Sequence, residues 1–124
     1  MNGYTDKRSA PRLFLSGDAA RHGISEWKLR APEPTERVMY GIRADPNRRV
    51  TRVAPEWADD EWDRMGLMLR ALQLKYPQVA ASHASAGVLY GLPLPSGSMD
   101  GQLHVSVDDR NLRIRRPGVV LHRV

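Results

Sequence analysis

The chain has 124 residues, which is enough for one ordinary domain or two very small ones. It contains no cysteine, so disulfides, thiolate catalysis and cysteine zinc sites are excluded. Its net charge of +5 favours a polyanionic partner. The apolar runs are too short for a membrane span, and the N-terminal stretch "MNGYTDKRSAPR" lacks the apolar core of a signal peptide. We therefore expect a cytoplasmic protein that does not associate with membranes.

The positive charge is concentrated at the two ends of the chain. Residues 1–53 hold eleven Lys or Arg against six Asp or Glu, and residues 101–124 hold five against two. Residues 54–100 are acidic, with three Lys or Arg against six Asp or Glu. Sixteen of the nineteen cations are arginine, whose guanidinium forms paired hydrogen bonds with a phosphate or a guanine edge. A genomic bias toward arginine contributes to this number, but the clustering favours nucleic acid as the partner.

The N-terminal part of the chain predicts an arm and two short helices. Residues 1–12 mix charge, glycine and proline, so they are predicted to be a flexible arm. In the following stretch, "FLSGDAARHGISEWKLR", Ser16 and Ser25 are each placed to cap a helix, and Gly23 ends the first one. Two short helices joined at a glycine predict a helix-turn-helix, with residues 25–31 as its second helix.

A basic hairpin is predicted next. The segments "RVMYGIRA" and "RRVTRV" alternate apolar and polar residues on either side of Asp45-Pro46-Asn47. They predict two short strands with a turn at that tripeptide, and the tip of the hairpin would carry Arg48 and Arg49. A helix-turn-helix followed by a basic hairpin is a winged helix. Residues 13–54 are therefore predicted to form a small winged helix-turn-helix.

Residues 55–124 predict an α+β region. Helix 57–75 has acids in its first turn and an apolar stripe, and a second helix follows Ser82 and ends at Gly91. Apolar and polar residues alternate in the segments "QLHVSV" and "GVVLHRV", which predicts two strands of a β-hairpin. The segment "DDRNLRIRRP" connects these strands as a basic turn. The predicted fold class is α+β: a small N-terminal winged helix-turn-helix followed by a partial α+β domain of two helices and a β-hairpin.

Patterns that suggest catalysis have plainer explanations. Asp18 with Glu26 and Lys28 spells the D…ExK pattern of restriction-type endonucleases, but Glu26 and Lys28 fall in a predicted helix, where their side chains diverge. The acids of residues 59–63 suggest a metal site, but acidic residues are common in the first turn of a helix, where the helix dipole favours them. Ser82 lies where an N-cap belongs, so we expect it and Ser85 to satisfy helix amides rather than to supply a nucleophile.

The histidines show no paired metal-ligand spacing, and no Walker loop or GxGxxG is present. His104 and His122 can face each other across the predicted final hairpin, which gives only a weak metal hypothesis. We therefore expect no enzymatic activity, no cofactor and no bound metal.

The second half of the chain resembles a known family. "SHASAGVLYGLPLP", then "LHVSV" and then "RIRRPGVVLHR" are similar to a recurring module of the AbiEi-type antitoxin family of type IV toxin–antitoxin systems. The resemblance implies an N-terminal winged helix, and "ARHGISEWKLR" and "RVMYGIRA" match its pattern. Glu26, Trp27 and Lys28 fall on the variable recognition positions of that pattern.

The resemblance also implies what is missing. Family members usually continue through the rest of the antitoxin domain, and many end in a Vsr-like endonuclease domain. This sequence stops at "VVLHRV", so we expect the antitoxin-like region, residues 55–124, to be truncated and the nuclease domain to be absent.

The predicted function is that of a sequence-specific DNA-binding transcriptional regulator or repressor of antitoxin type, acting on double-stranded DNA, as in phage defence. The expected DNA-contacting residues lie on the second helix, the hairpin and the basic turn: Ser25, Glu26, Trp27, Lys28, Arg30, Arg43, Arg48, Arg49, Arg52, Arg113, Arg115 and Arg116. The alternative is a protein-binding module without DNA contacts. In that case the Leu-Pro-Leu-Pro loop and the final hairpin would contact a cognate toxin or another phage or host protein.

Overall fold

The computed structural model of the chain describes residues 9–18, 36–39, 41–94 and 100–124. The chain divides into two compact units, residues 1–58 and residues 59–124. The α+β fold class is confirmed, because helices and strands are both present in similar amounts. Most of the predicted helix-turn-helix, residues 19–31, lies outside the described residues. Within the described residues, no helix has the length and apolar character that crossing a membrane requires.

The first unit contains a three-stranded antiparallel sheet. Its strands are β1 (Ser9–Leu15), β2 (Glu36–Met39) and β3 (Ile42–Thr51), in the order β1-β3-β2. The prediction of a flexible arm is therefore wrong for residues 9–12, which belong to β1. Ala10 is almost completely buried opposite Val50, so pairing with β3 orders this segment although it has few apolar residues.

The hairpin of the first unit turns at a different place from the predicted one. The turn between β2 and β3 lies at Gly41, whose φ of 81° suits a residue without a side chain. Asp45-Pro46-Asn47 lies inside β3 instead, where the register with β1 jumps between Pro11 and Arg12. A proline has no backbone N–H to donate, and an irregularity in the ladder accommodates it. Arg48 and Arg49 are thus in a strand and not at a hairpin tip, which corrects that prediction.

The second unit begins with a helix that the sequence pattern anticipates well. Helix α1 (Asp60–Lys75) follows the N-cap Asp59, whose Oδ1 accepts a hydrogen bond of 2.8 Å from the Trp62 amide. Its buried positions include Met65 and Leu72, both with no exposed surface. Helix α2 (His83–Tyr90) ends at Gly91, which is in the left-handed conformation as predicted for a glycine C-cap.

The sheet of the second unit is mixed. Strand β4 (Ala80–Ala81) is antiparallel to the central strand β5 (Leu103–Val107), and β6 (Val119–Arg123) is parallel to it. The core of the unit includes β5, in which Leu103, Val105 and Val107 are buried.

The predicted final hairpin is therefore wrong. Residues 108–118, called the crossover below, return the chain to the start of β5, so that Leu103 lies opposite Val119 and Val107 opposite Arg123. Alternation of apolar and polar residues shows that a segment is a strand, but it is the same for parallel and antiparallel neighbours. Residues 112–116 of the crossover have no regular secondary structure.

Asp59 and Ser82 offer a matched test of helix capping. Ser82 occupies the N-cap position of α2, but its side chain makes no capping hydrogen bond, which corrects the predicted role of its hydroxyl. Asp59→Ala is expected to lower the free energy of unfolding of the second unit by about 1 kcal/mol, since it removes the acceptor of the Trp62 amide. Ser82→Ala is expected to cost less, within about 0.5 kcal/mol. Urea unfolding followed by circular dichroism gives both values. An equal loss in the two variants would contradict this assignment of the caps.

Candidate functional site

The predicted DNA-contacting residues divide into three groups. Those of the predicted recognition helix lie outside the described residues: Ser25, Glu26, Trp27, Lys28 and Arg30. A second group, Arg43, Arg48, Arg49 and Arg52, lies on or directly after β3 of the first unit. The third group, Arg113, Arg115 and Arg116, lies on the crossover of the second unit.

A row of side chains crosses the sheet of the first unit. The register places Arg37 of β2 opposite Arg43 of β3, and Arg43 opposite Phe14 of β1. Arg37 is exposed, and together with Arg43, Ser16 and Gly41 it lines a pocket of about 270 Å³. Arg37 is not among the DNA-contacting residues predicted above, because the sequence does not reveal which residue of one strand faces which residue of the next.

The other arginines of β3 have contacts within the unit. Arg49 donates from Nε to the Ser9 hydroxyl at 2.9 Å and from Nη2 to the Ser9 carbonyl at 3.1 Å, so it ties the beginning of β1 to the end of β3. Arg48 places its Nε 3.8 Å from the carboxylate of Asp45, which is buried. Arg48 and Arg49 are both exposed, and Arg52 is half-buried. These contacts fix the positions of both side chains, and the Asp45 carboxylate offsets the charge of Arg48.

The crossover presents its arginines to solvent. Arg113 and Arg115 are exposed on either side of Ile114, which is buried, and Arg116 is half-buried. Arg123 of β6 donates to the carbonyl of Leu112 at 2.9 Å and so fixes the crossover beside the sheet.

The acids nearest in sequence do not neutralise the charges of Arg113 and Arg115. Within the described part of the chain, no carboxylate lies within ion-pair distance of Arg113 or Arg115. Asp109 instead accepts a hydrogen bond from the Asn111 amide at 2.8 Å. The acidic start of α1 is also engaged, since Glu61 binds Arg64 at 2.7 Å.

Three histidines meet on the second unit, and we call them the histidine stack: His83, His104 and His122. His104 Nδ1 lies 3.0 Å from His122 Nε2, and His104 Nε2 lies 2.9 Å from the carboxylate of Asp100. The rings of His83 and His122 are stacked with centroids 3.8 Å apart, and His83 Nδ1 lies 3.0 Å from the Ser82 hydroxyl. The sequence suggested that His104 and His122 can face each other across a final hairpin. The two rings meet across the parallel strands β5 and β6 instead, and the sequence did not suggest that His83 joins them.

The surroundings of the histidine stack shift two pKa values. Burial lowers the pKa of His122, and the positive charges that His83 and His104 can carry lower it further. The pKa of Asp100 is also lowered, first by the hydrogen bond from the Gln102 amide and then by the one shared with His104. The cluster therefore favours a charged Asp100 and a neutral His122.

Ser85 holds one member of the histidine stack in place. Its side chain is fully buried, and its hydroxyl accepts a 2.8 Å hydrogen bond from the His104 amide and donates to the Gln102 carbonyl at 3.3 Å. The prediction that Ser85 faces the free amides of its own helix is therefore wrong. It binds α2 to β5 instead, which positions His104 next to the start of the helix.

The geometry of the histidine stack does not match a metal centre or a catalytic triad. The nitrogens of His104 and His122 point at each other, and His83 lies flat on His122, so their lone pairs do not converge on one ion. Among the described residues, no group of three His, Cys, Asp or Glu side chains is arranged to hold a metal. Ser82 has His83 as a neighbouring base, but within the same part of the chain no carboxylate orients that ring.

Comparison with known proteins identifies no relative. No family model matches this chain, and neither a curated protein nor a solved structure does. Function is therefore inferred from the residues and their geometry.

Proposed function

We propose that this protein binds double-stranded DNA and acts as a transcriptional regulator of antitoxin type. The observation that carries the proposal is the pair of exposed arginines on the crossover, Arg113 and Arg115, which no described carboxylate neutralises. Exposed guanidiniums are suited to phosphates, since each can donate two parallel hydrogen bonds to one phosphate group.

The first unit supports the same function through its sheet. Arg37 and Arg43 lie opposite each other and add positive charge to the pocket that they line with Ser16 and Gly41. The β2–β3 hairpin follows the segment for which the sequence predicts a helix-turn-helix, which is the order of elements in a winged helix. The recognition helix at residues 25–31 stays a prediction, and sequence specificity rests on it.

A double variant on the crossover tests this proposal. Arg113→Ala/Arg115→Ala is expected to weaken binding to every duplex DNA, since phosphate contacts do not depend on base sequence. The slope of log K against log salt should become shallower by about two, because each of the two arginines neutralises one phosphate. Fluorescence anisotropy with a labelled random duplex at several salt concentrations measures this slope.

The matched control removes the same charge elsewhere. Arg64→Ala/Lys75→Ala takes two cations from α1, where Arg64 already binds Glu61. We expect the wild-type slope for this control. If the crossover variant also keeps the wild-type slope, the crossover arginines do not contact DNA.

Exposed apolar side chains at the end of α2 favour a second candidate function, that of a protein-binding module. Tyr90, the last residue of α2, is 74% exposed, and Leu92, the first residue of the Leu-Pro-Leu-Pro loop, is 59% exposed. The family resemblance implies a toxin as the partner. The wild-type chain should co-purify with the product of an adjacent toxin-like gene, even at salt concentrations that release DNA. The Tyr90→Ser/Leu92→Ser variant should lose this co-purification.

A further inference from the structure

The histidine stack joins three separate elements of the second unit. His83 is the first residue of α2, His104 lies in the middle of β5, and His122 lies in β6. The residues proposed to bind DNA include none of these histidines. Their contacts therefore need a separate explanation.

The hydrogen bond between His104 and His122 can accommodate only a limited number of protons. When both rings are neutral, His104 donates from Nε2 to Asp100, so its Nδ1 accepts from His122. One added proton on this pair of rings still allows the hydrogen bond, because one of the two facing nitrogens remains without a hydrogen. A second proton places N–H groups on both sides of the 3.0 Å contact, which breaks this hydrogen bond.

Further protonation also brings like charges together. The ring centroid of His122 lies 5.2 Å from that of His104 and 3.8 Å from that of His83. Burial makes the charged form of His122 less favourable still, and it lowers the pKa of this residue. Among the described residues, Asp100 is the only other charged group that contacts the rings, and it binds His104 alone.

The stack also holds an unfavourable backbone conformation. His83 has a φ of 55°, in the left-handed region that residues other than glycine rarely adopt. Such a conformation persists only where surrounding contacts maintain it, and those of His83 include its ring contacts with His122 and His104. The start of α2 is therefore under strain, and the stacked rings hold it in place.

We propose that the histidine stack is a proton-sensitive latch, which fastens the start of α2 to β5 and β6 near neutral pH and releases it in mild acid. The direction of the pH effect on stability follows from the difference between the folded and unfolded pKa values of His122. The unfolded chain takes up a proton on His122 at the ordinary histidine pKa of about 6.5, whereas the folded chain takes it up only at lower pH. The stabilising effect is thus fully present above about pH 6.5 and disappears as the pH falls through the folded pKa of His122.

Urea unfolding of the full chain between pH 8 and pH 5, in EDTA and without DNA, tests the latch. For the second unit, we expect a constant midpoint above about pH 7. Below about pH 6.5, the unfolding equilibrium constant should rise by up to roughly tenfold per pH unit, because His122 stays neutral in the fold while it takes up a proton in the unfolded chain. His122→Gln should flatten this dependence. The matched control His22→Gln, in the other unit, should keep it.

A second variant and a second measurement keep the proposal testable if His122→Gln does not fold. His83→Gln leaves the His104–His122 bond in place and removes one titratable ring from the stack. In an NMR titration, the pKa of His122 should then move up toward the usual value, since one of the charges that lower it is gone. Equal pH profiles for wild type and whichever of the two variants folds would overturn the proposal. A rise in the urea midpoint on adding ZnCl₂ would also overturn it, because it would identify a metal site.

Discussion

Replacing Phe14 with alanine is expected to lower the free energy of unfolding of the first unit by about 3–5 kcal/mol. Phe14 is 2% exposed and is the largest of the fully buried side chains among the described residues of this unit. It lies in β1 opposite Arg43, so its removal leaves a cavity in the sheet that carries the arginines. Native-state amide hydrogen exchange at Ile42 and Ala44 measures the change in this unit alone.

Val53 provides the control for this prediction. It is 91% exposed, so Val53→Ala should change the free energy derived from the same exchange rates by no more than about 0.5 kcal/mol. If Phe14→Ala has an equally small effect, β1 is not part of the folded unit, and the flexible arm would extend through Phe14.

Replacing Leu103 with alanine is the corresponding prediction for the second unit. Leu103 has no exposed surface and lies in the central strand β5, between β4 and β6. The expected loss in the free energy of unfolding is about 2–5 kcal/mol, read from amide exchange in β5. Leu92→Ala removes the same atoms from a side chain that is 59% exposed, and it should be nearly neutral. Similar losses for the two variants would mean that β5 is not the centre of the core.

Local signals in the sequence were enough to predict the two helices of the second unit. An acidic first turn and an apolar stripe marked α1, and the structure begins it at Asp60 after the cap Asp59. Ser82 and Gly91 bounded α2, and both are its terminal caps by position. Contacts within a helix join residues three or four positions apart, so a short stretch of sequence is enough to predict the helix.

Strand pairing was harder, since it depends on residues far apart in the chain. β1 was missed because its order comes from pairing with β3, in which Ser9 lies opposite Thr51. The parallel arrangement of β5 and β6 was missed for a similar reason: alternation identifies a strand but not its neighbour's direction. A proline inside β3 also gave a stronger turn signal than Gly41, where the chain actually turns.

The residues of the proposed sites show the same division between local and long-range information. The exposure of Arg113 and Arg115 around Ile114 follows from a local alternation that the sequence displays. The histidine stack does not follow from any local pattern of the sequence. Its three members, His83, His104 and His122, come together only when α2, β5 and β6 pack in the folded unit. The Arg37–Arg43 pair likewise needed the register of β2 against β3.

Binding of the wild-type chain to a labelled random duplex, measured from about 50 mM to 200 mM salt, tests DNA binding most directly. If the crossover and sheet arginines together neutralise about four phosphates or more, log K should fall with log salt with a slope of about −3 or steeper. The dissociation constant for random DNA should lie between about 10⁻⁴ and 10⁻⁶ M at physiological salt. Failure to bind at 50 mM salt, or an affinity that does not change with salt, would contradict the proposed function.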